Sequence, residues 1–137
     1  KSLFASVFYA VYNNETGYFL CSSGGSPKPL YYSNFFNKID FLDIEGPLVG
    51  MTEESQYYET SIKLAHNDTL LLFTDGAYEI FNDNNKMLGD EKLKSIFLKN
   101  MHKNINVIKE NMIKELKNFS NNSLPDDISM IFLRRTD

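Results

Sequence analysis

The chain has 137 residues, 42% of them hydrophobic and 14% aromatic, which is enough apolar material for one domain core and excludes a disordered segment. Its 18 acidic residues outweigh 14 basic ones, giving a formal net charge of −4, and the lysines are scattered among Glu and Asn. That excludes the basic stripe with which a sequence-independent nucleic-acid binder displaces phosphate counterions, so no nucleic-acid partner is expected.

Residues 2–12 are aromatic and β-branched throughout and are predicted as a long strand, apolar on both faces and well covered. Asn13-Asn14-Glu15-Thr16-Gly17 is a turn, because Asn and Gly tolerate the positive φ of hairpin loops. Residues 18–22 return as a second strand. Gly24-Gly25-Ser26-Pro27 breaks the pattern, and Leu30-Tyr31-Tyr32 makes a short third strand. Residues 34–56 read as irregular. Tyr58, Thr60, Ile62 and Leu64 then alternate with more polar neighbours, the period of a half-buried strand. Asn67-Asp68 is a turn before the apolar run 69–74, which is predicted as a central strand ending at Asp75-Gly76. Asn82-Asp83-Asn84-Asn85 is a further turn.

From Asp90 the period changes to that of helix. Asp90 is predicted to cap a first helix that buries Leu93, Ile96, Phe97 and Met101. Ile105, Ile108, Met112, Leu116 and Phe119 form one stripe of a second helix, which residues 121–125 end. Residues 128–133 are a last apolar strand. Strands, then two helices, then a strand favour an α+β layered domain over alternating βαβ units.

The single cysteine, Cys21, lies in an apolar run and reads as a buried structural thiol. No run approaches the ~18 apolar residues of a membrane span, and no signal peptide is visible. The expected compartment is therefore reducing and cytoplasmic. The chain opens at Lys1 directly in strand-like sequence without an initiator Met, and it is expected to be part of something longer.

Two acidic features carry the chemistry. In Thr74-Asp75-Gly76 a carboxylate ends an apolar strand and is followed by Gly, which permits a tight turn and close approach of a ligand. Burying such a charge is costly without a partner. The same tripeptide is equally a turn in which Asp75 caps the next segment. Asp126-Asp127, just before the last strand, sets two like charges together, which a cation would offset; it also reads as a solvated acidic loop. If the two clusters converge, they offer hard oxygen ligands suited to Mg²⁺ or Mn²⁺. His66 and His102 lie in a turn and a helical segment, without ligand spacing, and read as surface residues.

Taken in order, the motifs resemble the C-terminal part of the SpoIIE-type branch of the PPM metal-dependent protein serine/threonine phosphatases. Gly24-Gly25-Ser26-Pro27 is similar to that family's Gly-His-x-Pro loop, and Gly46-Pro47-Leu48-Val49-Gly50 to its Gly-Leu-Pro-Leu-Gly element. Residues 70–76, continuing to Glu79, resemble Leu-Leu-Leu-Tyr-Thr-Asp-Gly-x-x-Glu. Leu88-Gly89-Asp90-Glu91-Lys92-Leu93 matches a helix entry, and Asp126-Asp127-Ile128-Ser129 resembles the terminal Asp-Asp-Ile-Thr. The order and spacing of these motifs cover essentially residues 1–137.

The resemblance implies an antiparallel β-sandwich flanked by helices, here lacking the family's N-terminal strands and helix. It implies Asp75 and Asp126 as catalytic metal ligands, Asp127 as a neighbouring or alternate ligand, and Gly76 as the residue that keeps backbone close to the metal. Glu79 is an outer partner or simply a surface residue. The implied reaction is hydrolysis of phosphoserine or phosphothreonine on a regulatory protein, such as an anti-sigma factor antagonist in bacterial signalling. Two Mn²⁺ or Mg²⁺ ions in the full domain would activate the attacking water.

Two departures stand out. The family's Asp with Gly-His-Gly, which supplies the carboxylate bridging both metals, has no counterpart in these residues, so the chain alone is expected to hold an incomplete site. Gly25 stands where the family usually has His. The alternative reading is therefore a non-catalytic phosphatase-like module that binds a regulatory partner. Without the N-terminal strands, an apolar edge at residues 4–12 is expected, through which a second copy would pair as a homodimer.

Overall fold

The computed structural model describes residues 3–124 and 126–136, so Ser2 and Pro125, each included in a predicted element, lie outside the described residues. The elements in chain order are β1 (Val7–Tyr12), β2 (Tyr18–Gly24), β3 (Leu30–Ser33), β4 (Lys38–Phe41), β5 (Glu59–Lys63) and β6 (Thr69–Phe73). A 3₁₀ turn at Asp75–Ala77, helices α1 (Gly89–Leu98) and α2 (Ile105–Phe119), and strand β7 (Met130–Arg134) follow. The strands form two antiparallel sheets, ordered β1-β2-β5 and β4-β3-β6-β7. The α+β class and the sandwich follow the sequence reading.

Apolar periodicity explains the layering. Phe19, Cys21, Leu64 and Leu70 are buried between the sheets, with Phe8, Ala10, Tyr31 and Leu133 packed against them. On the other face of the four-stranded sheet, Leu30, Tyr32, Leu71 and Phe73 pack under Leu93, Ile96 and Phe97 of α1 and Ile108, Met112 and Leu116 of α2. Strand β6 is thus covered on both faces, which is why its sequence is continuously apolar rather than alternating. Cys21 is buried and unpaired, and burial pushes its thiol up from the usual range, as suits a packing residue.

Helix α2 begins at Asn104, whose side-chain oxygen accepts from the N–H of Asn106, and ends where the Ser120 hydroxyl donates back to the Leu116 carbonyl. Arg134 on β7 holds the α1–α2 connection against the sheet by donating to the carbonyls of Met101 and Lys103 and to the Thr69 hydroxyl.

Four sequence expectations are corrected. The N-terminal strand is not covered on both faces: Phe8, Ala10 and Tyr12 are half-buried against the core, whereas Val7, Tyr9 and Val11 are exposed. It is an edge strand, and its outer face is largely open. Residues 34–56 contain β4, a four-residue strand that Lys38 and Asp40 keep from reading as apolar. Asp90 does not cap α1. Leu88 takes that position without a side-chain bond, and Asp90 lies inside the first turn, where its charge complements the helix dipole. His102 lies in the turn between the helices rather than in a helix; both it and His66 are exposed.

Candidate metal centre at the sheet ends

The last rungs of the β6–β7 ladder bring the two acidic segments together. Beyond the Phe73–Met130 pair, the Thr74 N–H donates to the Ser129 carbonyl at 3.1 Å, and the Ser129 N–H donates to the Thr74 hydroxyl oxygen at 3.0 Å. That hydroxyl in turn donates to the Asp127 carbonyl at 3.4 Å. Gly76 is buried against the same carbonyl: a Cβ there would lie 2.6 Å from the Asp127 oxygen. Only a residue without a side chain lets the Asp75 turn sit this close to the Asp126-Asp127 segment.

Each candidate carboxylate uses one oxygen locally. Asp75 Oδ1 accepts from the Gly76 N–H at 2.9 Å, and Asp126 Oδ1 accepts from the Asp127 N–H at 2.8 Å. The Oδ2 atom of each makes no hydrogen bond among the described residues. Asp75, Asp126 and Asp127 are all exposed, open to a ligand from solvent. The expected capping role of Asp75 is not seen: Thr74 holds the N-cap position without a side-chain bond, and Asp75 lies inside the first turn, its carbonyl accepting from Tyr78 and Glu79. The Glu79 side chain is exposed and lies just past the 3₁₀ turn, not on a helix.

Each acidic loop borders a cleft. A cleft of about 470 Å³ is lined by Asp75, Thr74, Ser6, Gly25, Pro27 and Leu48. It unites three motifs that are far apart in sequence. Gly25 holds this arrangement by its backbone: it has φ of +77°, donates to the Gly46 carbonyl at 2.8 Å, and leaves no space for a Cβ beside Leu48. A side chain at this position would have to push the Leu48 side chain aside and take a strained positive φ. Asp126 and Asp127 border a cleft of about 590 Å³ against α2.

The donor chemistry of Asp75, Asp126 and Asp127 suits a hard divalent cation. The donor number falls short, because among the described residues no group of three or more His, Cys, Asp or Glu side chains is placed to hold a metal ion. The residues present thus fit part of a coordination shell. Thr74 is the positioning residue that sequence reasoning passed over; its signal was a hydroxyl at the end of an apolar strand, directly before the acidic turn.

The chain has relatives in both sequence and fold. The family model described as Stage II sporulation protein E (SpoIIE) matches residues 1–136. The chain is 28% identical over 134 residues to the phosphoserine phosphatase RsbU of Bacillus subtilis (strain 168), covering 98% of this chain and 40% of that protein. Its fold matches the RsbU and RsbW domains of Rv1364c from Mycobacterium tuberculosis with a TM-score of 0.80, at 16% identity, over 96% of this chain and 36% of that one. It also matches the manganese-presoaked phosphatase domain of SpoIIE from Bacillus subtilis, with a TM-score of 0.71 at 14% identity, over 96% of this chain and 56% of that one. The chain therefore spans well under two thirds of each of these proteins. With residues 1–136 matched and the fold shared, the chain belongs to the SpoIIE family.

Proposed function

We propose that this chain is the C-terminal portion of one SpoIIE-type phosphatase domain, and that the intact protein hydrolyses phosphoserine or phosphothreonine on a regulatory protein. The observation that carries the reading is the backbone junction of Gly76 with Asp127, which sets two acidic loops side by side at the sheet ends. Asp75 and Asp126 would hold Mn²⁺ or Mg²⁺, with Asp127 beside them and further ligands from outside these residues. When bound, the cations activate water and offset charge on the phosphoryl oxygens. The chain's own contribution is positional: Thr74 and Ser129 lock the loops, and the Gly76 and Asp127 N–H groups orient one carboxylate oxygen each. RsbU, named a phosphoserine phosphatase, supports a phosphoprotein substrate, for which an anti-sigma factor antagonist in the cytoplasm is the fitting class.

The test is release of phosphate from a phosphoserine protein by the intact protein, present with Mn²⁺ or Mg²⁺ and absent with chelator. A protein that binds a regulatory partner without metal and releases no phosphate would instead be the non-catalytic module, a reading favoured by the incomplete set of described ligands.

Gly76→Ala provides a second test of the junction. Its Cβ forces the Asp127 carbonyl to move, an overpacking cost of about 1–3 kcal/mol. Calorimetric titration is expected to show Mn²⁺ affinity falling by about tenfold, as for a disturbed supporting contact. Unchanged affinity would separate this junction from metal binding.

Pairing of two copies through β1 belongs to the same proposal. The strand lies at a sheet edge and exposes Val7, Tyr9 and Val11, a combination that invites strand addition. Light scattering at high protein concentration is expected to give a dimer; a strict monomer removes this part.

A further inference from the structure

The cleft between α2 and the Asp126-Asp127 segment has a feature that the core does not explain. The buried stripe of α2 is Ile108, Met112 and Leu116, yet Ile113 lies off that stripe and remains 38% exposed. Lys109, one turn before Ile113 on the same face, also borders the cleft. Leu124 and Met130 add apolar lining, and Asp126 and Asp127 border the same cleft. The volume, about 590 Å³, lies within the range of ligand clefts. Lys109 makes no salt bridge among the described residues, whereas Lys28, Lys38 and Lys94 do.

We infer that this cleft is a substrate subsite: it takes the polypeptide next to the phosphoserine, with an aliphatic side chain against Ile113 and an acidic side chain at Lys109. This rests on the phosphatase reading above and deepens it. Two observations commit the occupant. Asp126 and Asp127 belong both to the candidate metal centre and to the cleft, so a chain anchored there by its phosphoryl group continues naturally along α2. Charge is also complementary, since the acidic pair suits a cation-held phosphate and the cleft's one lysine suits a carboxylate on the same peptide.

The experiment uses the intact protein with Mn²⁺ and two phosphoserine peptides that differ only beside the phosphoserine, Leu then Asp in one and Ser then Lys in the other. Para-nitrophenyl phosphate, which has no flanking residues, serves as the reference substrate. For Ile113→Asp, the ratio of kcat/KM on the Leu-Asp peptide to that on the reference is expected to fall about tenfold, the low end for one aliphatic group in an apolar pocket. Lys109→Glu should move the preference toward the Ser-Lys peptide. Fluorescence anisotropy of the labelled Leu-Asp peptide, without added metal, should follow the same order.

Ratios within about twofold of the parent, or equal losses on all substrates, overturn the subsite while leaving the phosphatase reading in place. If the parent hydrolyses nothing, the phosphatase reading fails. In that case a parent without Leu-Asp preference in anisotropy overturns the subsite as well, and a parent with that preference supports it.

Discussion

Asp75→Asn in the intact protein is expected to lower Mn²⁺-dependent phosphate release by more than the ~10–100-fold that loss of an outer supporting partner costs a metal site. The substitution is a clean one. Asp75 Oδ1 accepts only the adjacent Gly76 N–H, and an Asn side-chain oxygen accepts it equally well, so the 3₁₀ turn keeps its shape. What disappears is the negative charge offered by the second oxygen, the part a hard cation requires. Asp126→Asn follows the same logic, because its Oδ1 accepts from the Asp127 N–H. Raising Mn²⁺ should restore part of the activity in both variants, and thermal melting should remain near that of the parent. Glu53→Gln, an exposed carboxylate in the segment before β5, serves as the control for a nonspecific change in charge. Full activity in Asp75→Asn at low Mn²⁺ would remove Asp75 from the metal shell.

What the sequence made legible follows the physics of each feature. The continuous apolar run of β6, the α2 stripe and the Asn-rich turns are local patterns, and each lies where its residues place it. The candidate centre was legible as two acidic motifs, because a charge at the end of an apolar strand is conspicuous. Their junction was not, since the approach of Gly76 to the Asp127 carbonyl depends on the β6–β7 register. The exposure of β1 was misread for a related reason. Apolar residues on both faces suggest a covered strand, but the three-stranded sheet has its helix-free side outward. Ile113 and Lys109 gave no signal at all, because one apolar residue beside a helix stripe is ordinary until the cleft beside it is seen.

Asp68 is the other feature that a linear reading placed in an ordinary turn, and Asp68→Ala is expected to cost about 3 kcal/mol. The side chain is buried. Oδ2 accepts from the Tyr31 hydroxyl at 2.6 Å and the Ala65 N–H at 2.9 Å, while Oδ1 accepts from the Asn34 N–H at 2.8 Å. One carboxylate thereby fastens β3, the turn after it and the β5–β6 turn. Truncation strands three donors at about 1–3 kcal/mol each, less what water recovers at the exposed Asn34 and Ala65. For a chain of this size, that lowers Tm by roughly 10 °C. Asp68→Asn should lose less, since its remaining oxygen satisfies one side of the site, while its amide group faces a donor on the other. Tyr31 reports the same contact independently of melting. Burial first, and then the hydrogen bond and charge of Asp68, push its pKa up to about 12 from an ordinary 10.0. The neutral phenol is therefore favoured by folding, so this contribution is complete below pH 10 and is lost as the pH rises through about 12. In Asp68→Ala the phenolate absorbance of Tyr31 should appear at lower pH. An unchanged late-titrating tyrosine, together with an unchanged Tm, would show that Asp68 does not hold this corner of the sandwich.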